Sequence, residues 1–108
     1  MNEQRIHKRT QISHPLVYTA MDRQGNISSQ GMALAVDISP NGLMIETTEP
    51  IHAKAVKIRT ATSQAANVET IGEIIYSLPH APKKYRSGLK FNDAAEQLSQ
   101  FADELLNQ

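Results

Sequence analysis

Cysteine and tryptophan are both missing from these 108 residues. That removes disulfides, thiol nucleophiles and thiolate metal sites, and it fits a reducing compartment. Aromatics are scarce, with three Tyr and two Phe, so any core has to be mostly aliphatic. There is no excess of either charge. Lys and Arg together number 11, as do Asp and Glu, so no overall field draws the chain to DNA or an anionic membrane. No apolar run approaches membrane-spanning length, and the polar N-terminus lacks the apolar stretch of a signal peptide. A soluble cytoplasmic protein without membrane insertion is the expectation, one domain with a single modest core.

Catalytic patterns are missing too. The histidines, at positions 7, 14, 52 and 80, show no paired metal-ligand spacing and read as surface or loop residues. No glycine-rich phosphate loop is present, and Asp37 and Ser39 have no histidine partner for a hydrolase triad. The sequence therefore predicts no catalytic residue, no metal ligand, no cofactor and no enzyme activity.

What is present is a succession of short strands. Residues 1–14 read as an irregular, flexible arm ending at Pro15, which disfavours helix in the residue before it. Leu16–Met21 has strand composition, and Asp22 to Asn26 supplies turn chemistry. A second strand alternates cleanly, with Met32, Leu34, Val36 and Ile38 assigned to the core face and Ala33, Ala35, Asp37 and Ser39 to the other. Ser39-Pro40-Asn41-Gly42 suits a type I turn, and Leu43–Thr47 completes a hairpin. Val56 to Arg59 gives a fourth strand, followed by a small-residue loop, Ala61–Asn67. Val68 to Leu78 puts Thr70, Gly72, Ile74, Tyr76 and Leu78 on one face, with Gly72 read as a bend or bulge. Pro79 to Lys84 reads as a loop, and Tyr85–Phe91 as a last strand with Tyr85, Leu89 and Phe91 inward. Asp93 to Glu96 resembles a capping box, and Leu98, Phe101, Ala102 and Leu105 keep helical spacing, so 92–107 is predicted helical. Six strands and one amphipathic helix make a compact antiparallel barrel or sandwich with a helix against it.

One position is not accounted for by turn chemistry. Asp37 stands at a strand end, two residues before Ser39 and so on the same side, about 6.5–7 Å away. If Ile38 points inward, the carboxylate and hydroxyl share an outward platform. Gly42 lets a ligand or the chain's own arm approach the turn closely. A carboxylate can accept from the N–H edge of guanine, and arginine can donate to guanine O6 and N7 or lie flat on the base. Arg5 and Arg9, with His7 and Lys8 between them, form a basic cluster in a stretch without acids from Gln4 to Met21. The bland alternatives are a solvated tail and a local turn cap.

Arg5 to Arg9 before the first strand, Asp37 to Gly42 after the second, and then Gly72 to Tyr76 and Tyr85 to Phe91, together resemble the PilZ domain family of bacterial cyclic di-GMP receptors. The resemblance implies that Arg5 and Arg9 hold guanine bases and phosphates, and that Asp37, Ser39 and Gly42 form the matching element on the barrel wall. Gln4 replaces a frequent basic residue, and Tyr76 a frequent tryptophan. The expected fold is mainly β, a six-stranded antiparallel β-barrel over 15–108 with a C-terminal α-helix. The expected function is cyclic di-GMP binding that orders the arm over the barrel and alters recognition of a protein partner, as a monomer or a ligand-dependent dimer. The alternative is a small β-barrel adaptor without a nucleotide ligand. An RNA-binding barrel ranks lower, because the few aromatics are assigned to the core rather than to a stacking face.

Overall fold

The computed structural model describes residues 10–60 and 69–91. Six strands run in chain order: β1 (Thr10–Met21), β2 (Ile27–Ser39), β3 (Gly42–Thr47), β4 (Ala55–Thr60), β5 (Glu69–Ala81) and β6 (Lys84–Lys90). All pairings are antiparallel, and the strands close into a ring in the order β1-β2-β3-β6-β5-β4. The fold is mainly β, as expected. The predicted helix 92–107, the loop 61–67 and the arm residues up to Arg9 lie outside the described residues.

Three tight connections set the register. In the first, Asp22 Oδ1 accepts hydrogen bonds from the backbone N–H of Gln24 and Asn26, both at 2.9 Å, and Gly25 supplies a positive φ of 84°. In the second, Ser39 pairs with Gly42 across Pro40 and Asn41. Neither turn residue has a positive φ, so this hairpin avoids the primed turns and keeps the type I character its sequence predicts. The third corrects the sequence reading. Pro79 to Ala81 are not loop but the end of β5, and Ala81 pairs with Lys84 across a short turn where Lys83 has φ 59°. Proline is tolerated in a strand where its missing N–H faces no partner strand. β4 pairs with β5 only as far as Glu73, which leaves Pro79 such a side. Similarly, 10–14 belong to β1 rather than to an irregular arm.

The interior is aliphatic. Leu16, Ile38, Ile45, Val56 and Ile58 are fully buried, and Leu89 and Phe91 pack with them. Strand β2 does not alternate as its sequence suggests. Ala35 opposes Ile45 and Asp37 opposes Met44, leaving Val36 as an extra residue in a bulge. Ala33 and Ala35 therefore face inward, Met32 is exposed, and Leu34 and Val36 are only half-buried. After the bulge the phase reverses, and Ile38 returns to the core. Small residues facing large ones is how a narrow closed sheet fills its interior.

Strand β5 has a matching irregularity. Ile74 opposes Leu89 and Tyr76 opposes Gly88, so Ile75 is extra. Tyr76 and Leu78 consequently point outward, against the core face predicted for them. Ser77 takes the inward place, where its Oγ accepts from Ile51 N at 3.0 Å and meets Ser87 Oγ at 2.8 Å. Gly72 marks no bulge. A Cβ there would lie 2.9 Å from the Phe91 ring, so the glycine makes room for Phe91.

Tyr18 is the one aromatic buried inside the ring at β1. Burial foremost, and the Glu49 carboxylate after it, raise its phenol above the ordinary value of 10.0, while a hydrogen bond with Ser29 opposes them. A folded-state value above the unfolded one favours the neutral phenol. Its contribution to stability is fully present below about pH 10 and is lost as pH rises through the higher folded value. Thermal melts should therefore decline above about pH 10, and Tyr18→Phe should flatten that decline. An identical decline in the variant would assign it to other groups.

Candidate functional site

The closed ring brings the residues of the turn motif into a larger arrangement. Pairing registers align Asp37 of β2 with Met44 of β3, Met44 with Gly88 of β6, and Gly88 with Tyr76 of β5. These four residues form one outward row across four strands. The row beside it on the same face runs Ser39, Gly42, Lys90 and Glu73. Between them lies the inward row Ile38, Leu43, Leu89 and Ile74, which anchors the platform in the core.

The two bulges are what build this face. Each outer strand of the four places two residues, Val36-Asp37 or Ile75-Tyr76, against the single Met44–Gly88 level. Bulges re-aim side chains, and here they turn a carboxylate and an aromatic ring outward at opposite ends of one row. Gly88, between them, has no side chain and makes room for the Tyr76 ring. A Cβ on Gly88 would lie 2.6 Å from Tyr76 Cε2, so the ring lies over the glycine.

Asp37, Ser39 and Gly42 line one shallow depression of about 260 Å³ together with Met44, Ile75 and Tyr76. Three of the five sequence-predicted residues, Asp37, Ser39 and Gly42, thus lie together, while Met44, Ile75, Tyr76 and Gly88 are additions that sequence reasoning missed. Gly42 also has an architectural role. The place its Cβ would take is 2.8 Å from the Leu89 carbonyl oxygen, so glycine is required by the approach of β6. Ser39 Oγ points back over the turn toward the Gly42 carbonyl at 3.5 Å, a long and weak contact that a better acceptor can replace. The turn itself is pinned, because Phe91 N–H donates to the Asn41 carbonyl at 2.9 Å.

Arg5 and Arg9 lie outside the described residues. Strand β1, however, begins at Thr10 opposite Ile38, and Gln11 lies opposite Asp37. Arg9 is the residue immediately before Thr10, so the chain enters the ring beside the Asp37–Ser39 platform. Above the site, Glu46 and Arg86 form a cross-strand ion pair at 3.3 Å that occupies both charges. Among the described residues no group of His, Asp or Glu is arranged to hold a metal ion, and no helix is long and apolar enough to cross a membrane. A carboxylate, a hydroxyl, an aromatic face and an apolar floor suit a planar group with N–H donors on its edge.

No protein-family model matches the chain, and no curated protein sequence does. Among solved structures, the Bacillus subtilis inhibitor of motility, MotI/DgrA, is similar, with a TM-score of 0.64 at 11% identity. The match covers 99% of this chain and 51% of that one. The likeness is one of fold. This chain spans about half the length of MotI/DgrA.

Proposed function

We propose that this chain is a cyclic di-GMP receptor that conveys ligand binding to a protein partner. The observation that supports it most is the convergence of Asp37, Ser39 and Gly42, the residues that the sequence resemblance assigns to the ligand, on one depression that also holds the Tyr76 ring. Asp37 accepts from a guanine N–H edge, and Tyr76 and Ile75 offer the base a stacking surface. Arg9 and Arg5 supply cations to the phosphates from a segment attached at Thr10, beside the platform. Arg5 lies five residues before Thr10, within about 17 Å of extended chain. Ligand charge draws this segment across the wall and changes the surface a partner meets. The fold shared with an inhibitor of motility supports an effector acting through another protein. In this reading the chain performs no chemistry on its ligand.

Isothermal titration with cyclic di-GMP tests the proposal. Heat is expected with cyclic di-GMP and much less with GMP, and the dinucleotide should be recovered unchanged. Arg5→Ala and Arg9→Ala should each weaken binding by about 1.5–3 kcal/mol, the range for hydrogen bonds to charged groups. Affinity should fall between low and high ionic strength, because the chain is neutral overall and the effect comes from that local cluster. Absence of both heat and chemical-shift change would overturn the receptor reading and favour the adaptor without nucleotide.

A further inference from the structure

The outward side of the β5–β6 hairpin continues past the candidate site, from Ile75 and Tyr76 to Leu78, Lys83 and Lys84. From Ile74 to Asn92 the sequence contains no acid, although acids and bases are equal over the whole chain. Leu78 and Ile75 are each 57% exposed, and Tyr76 is 38% exposed. Tyr76 and Leu78 share the outward side of β5, and Lys83 and Lys84 stand at the hairpin end. Of the carboxylates near this strip, Glu46 is held by Arg86, Glu73 stands opposite Lys90 in the neighbouring row, and Asp37 lies across the depression at the far end of the Tyr76 row. Among the described residues no ion pair holds Lys83 or Lys84.

We infer that this hairpin face is a docking surface for an acidic, apolar-anchored segment of a partner protein. Leu78 and Ile75 receive the partner's apolar side chains, and Lys83 and Lys84 its carboxylates. Two other occupants fit less well. A bilayer would meet the lysines first, because Leu78 stands opposite Arg86 on the wall of the sheet rather than at the turn. A second copy related by a two-fold axis would bring two basic faces together. The surface is continuous with the candidate site, since Ile75 and Tyr76 line both. The inference gives the partner of the proposed function a place and a chemistry. It rests on that reading only for its response to ligand.

The test needs no ligand. Two synthetic amphipathic peptides with the same leucine face, one carrying glutamates and the other lysines, are titrated into the isotope-labelled full chain. The glutamate peptide is expected to perturb the signals of Ile75, Leu78, Lys83 and Lys84. Leu78→Asp and the double variant Lys83→Glu/Lys84→Glu should each weaken that binding about tenfold or more while keeping the folded spectrum. Leu78→Ser serves if the aspartate variant does not fold. Equal binding of the lysine peptide, or perturbation confined to other strands, would overturn the inference. So would stronger competition by phosphatidylcholine–phosphatidylglycerol vesicles, or self-association that Leu78→Asp abolishes. A chain that binds the glutamate peptide but gives no heat with cyclic di-GMP keeps this surface and loses the receptor reading.

Discussion

Ile38→Ala is expected to lower stability by about 2–5 kcal/mol while leaving ligand affinity nearly intact, and Asp37→Ala to do the reverse. The two residues are neighbours in one strand with opposite surroundings. Ile38 is 1% exposed, in the row with Leu43, Leu89 and Ile74, and truncating it removes buried methyl groups and opens a cavity against a tightly packed wall. Asp37 faces outward into the depression beside Ser39. Its removal deletes a charged acceptor, which should weaken cyclic di-GMP binding by about 1.5–3 kcal/mol. Its effect on the fold should stay within about 1 kcal/mol, because the carboxylate is outside the core. Urea unfolding measures the first quantity and calorimetric titration the second. Should Asp37→Ala unfold the chain while Ile38→Ala leaves it intact, the assignment of inner and outer faces on β2 would be wrong.

This pair of neighbours also shows how far the sequence is legible. Strand composition, the Asp22–Asn26 and Pro40–Asn41 turns, and the inward place of Ile38 follow from residue chemistry that acts over a few positions. The outward Asp37 and Ser39 are likewise correct, but the route to them is not. Strict alternation from Ile38 backward assigns Leu34 and Val36 to the core, whereas the bulge at Val36 puts Ala33 and Ala35 there. A bulge changes phase by one residue and depends on the partner strand's register, which one strand's sequence does not contain. The same holds at Ile75. The consecutive Ile74-Ile75 pair was a break in alternation that pointed there, and serines at 77 and 87 were small polar residues suited to facing each other inside. Without the pairing of β5 with β6, Tyr76 reads as a core aromatic, and half of the depression stays hidden. Pro79 misleads for a related reason. It excludes a strand with partners on both sides, and only the topology reveals that β5 has one partner there.

Two glycine-to-alanine substitutions on this face should separate architecture from recognition. At Gly42 the added methyl would stand 2.8 Å from the backbone oxygen of Leu89. A carbonyl in a ladder between β3 and β6 cannot turn aside without loss of pairing, so Gly42→Ala should cost about 1–3 kcal/mol of stability through overpacking. At Gly88 the methyl would meet Tyr76 Cε2 and Cζ at 2.6 and 2.8 Å, which looks worse by distance alone. Tyr76 is partly exposed, however, and its ring can rotate away into solvent at little cost to the fold. The displaced ring no longer covers the floor between Asp37 and Ile75. Gly88→Ala should therefore leave the unfolding midpoint within a few degrees of the parent, since about 1 kcal/mol shifts it by roughly 4–8 °C in a chain this size. Its cyclic di-GMP affinity should fall by about 1–3 kcal/mol, the range for a base stacked on an aromatic side chain. Tyr76→Ala should match that loss, and the double variant should lose no more than either alone, because both remove one contact. Additive losses in the double variant would mean that Gly88 and Tyr76 act on the ligand separately, and the ring would not be the stacking surface of the site.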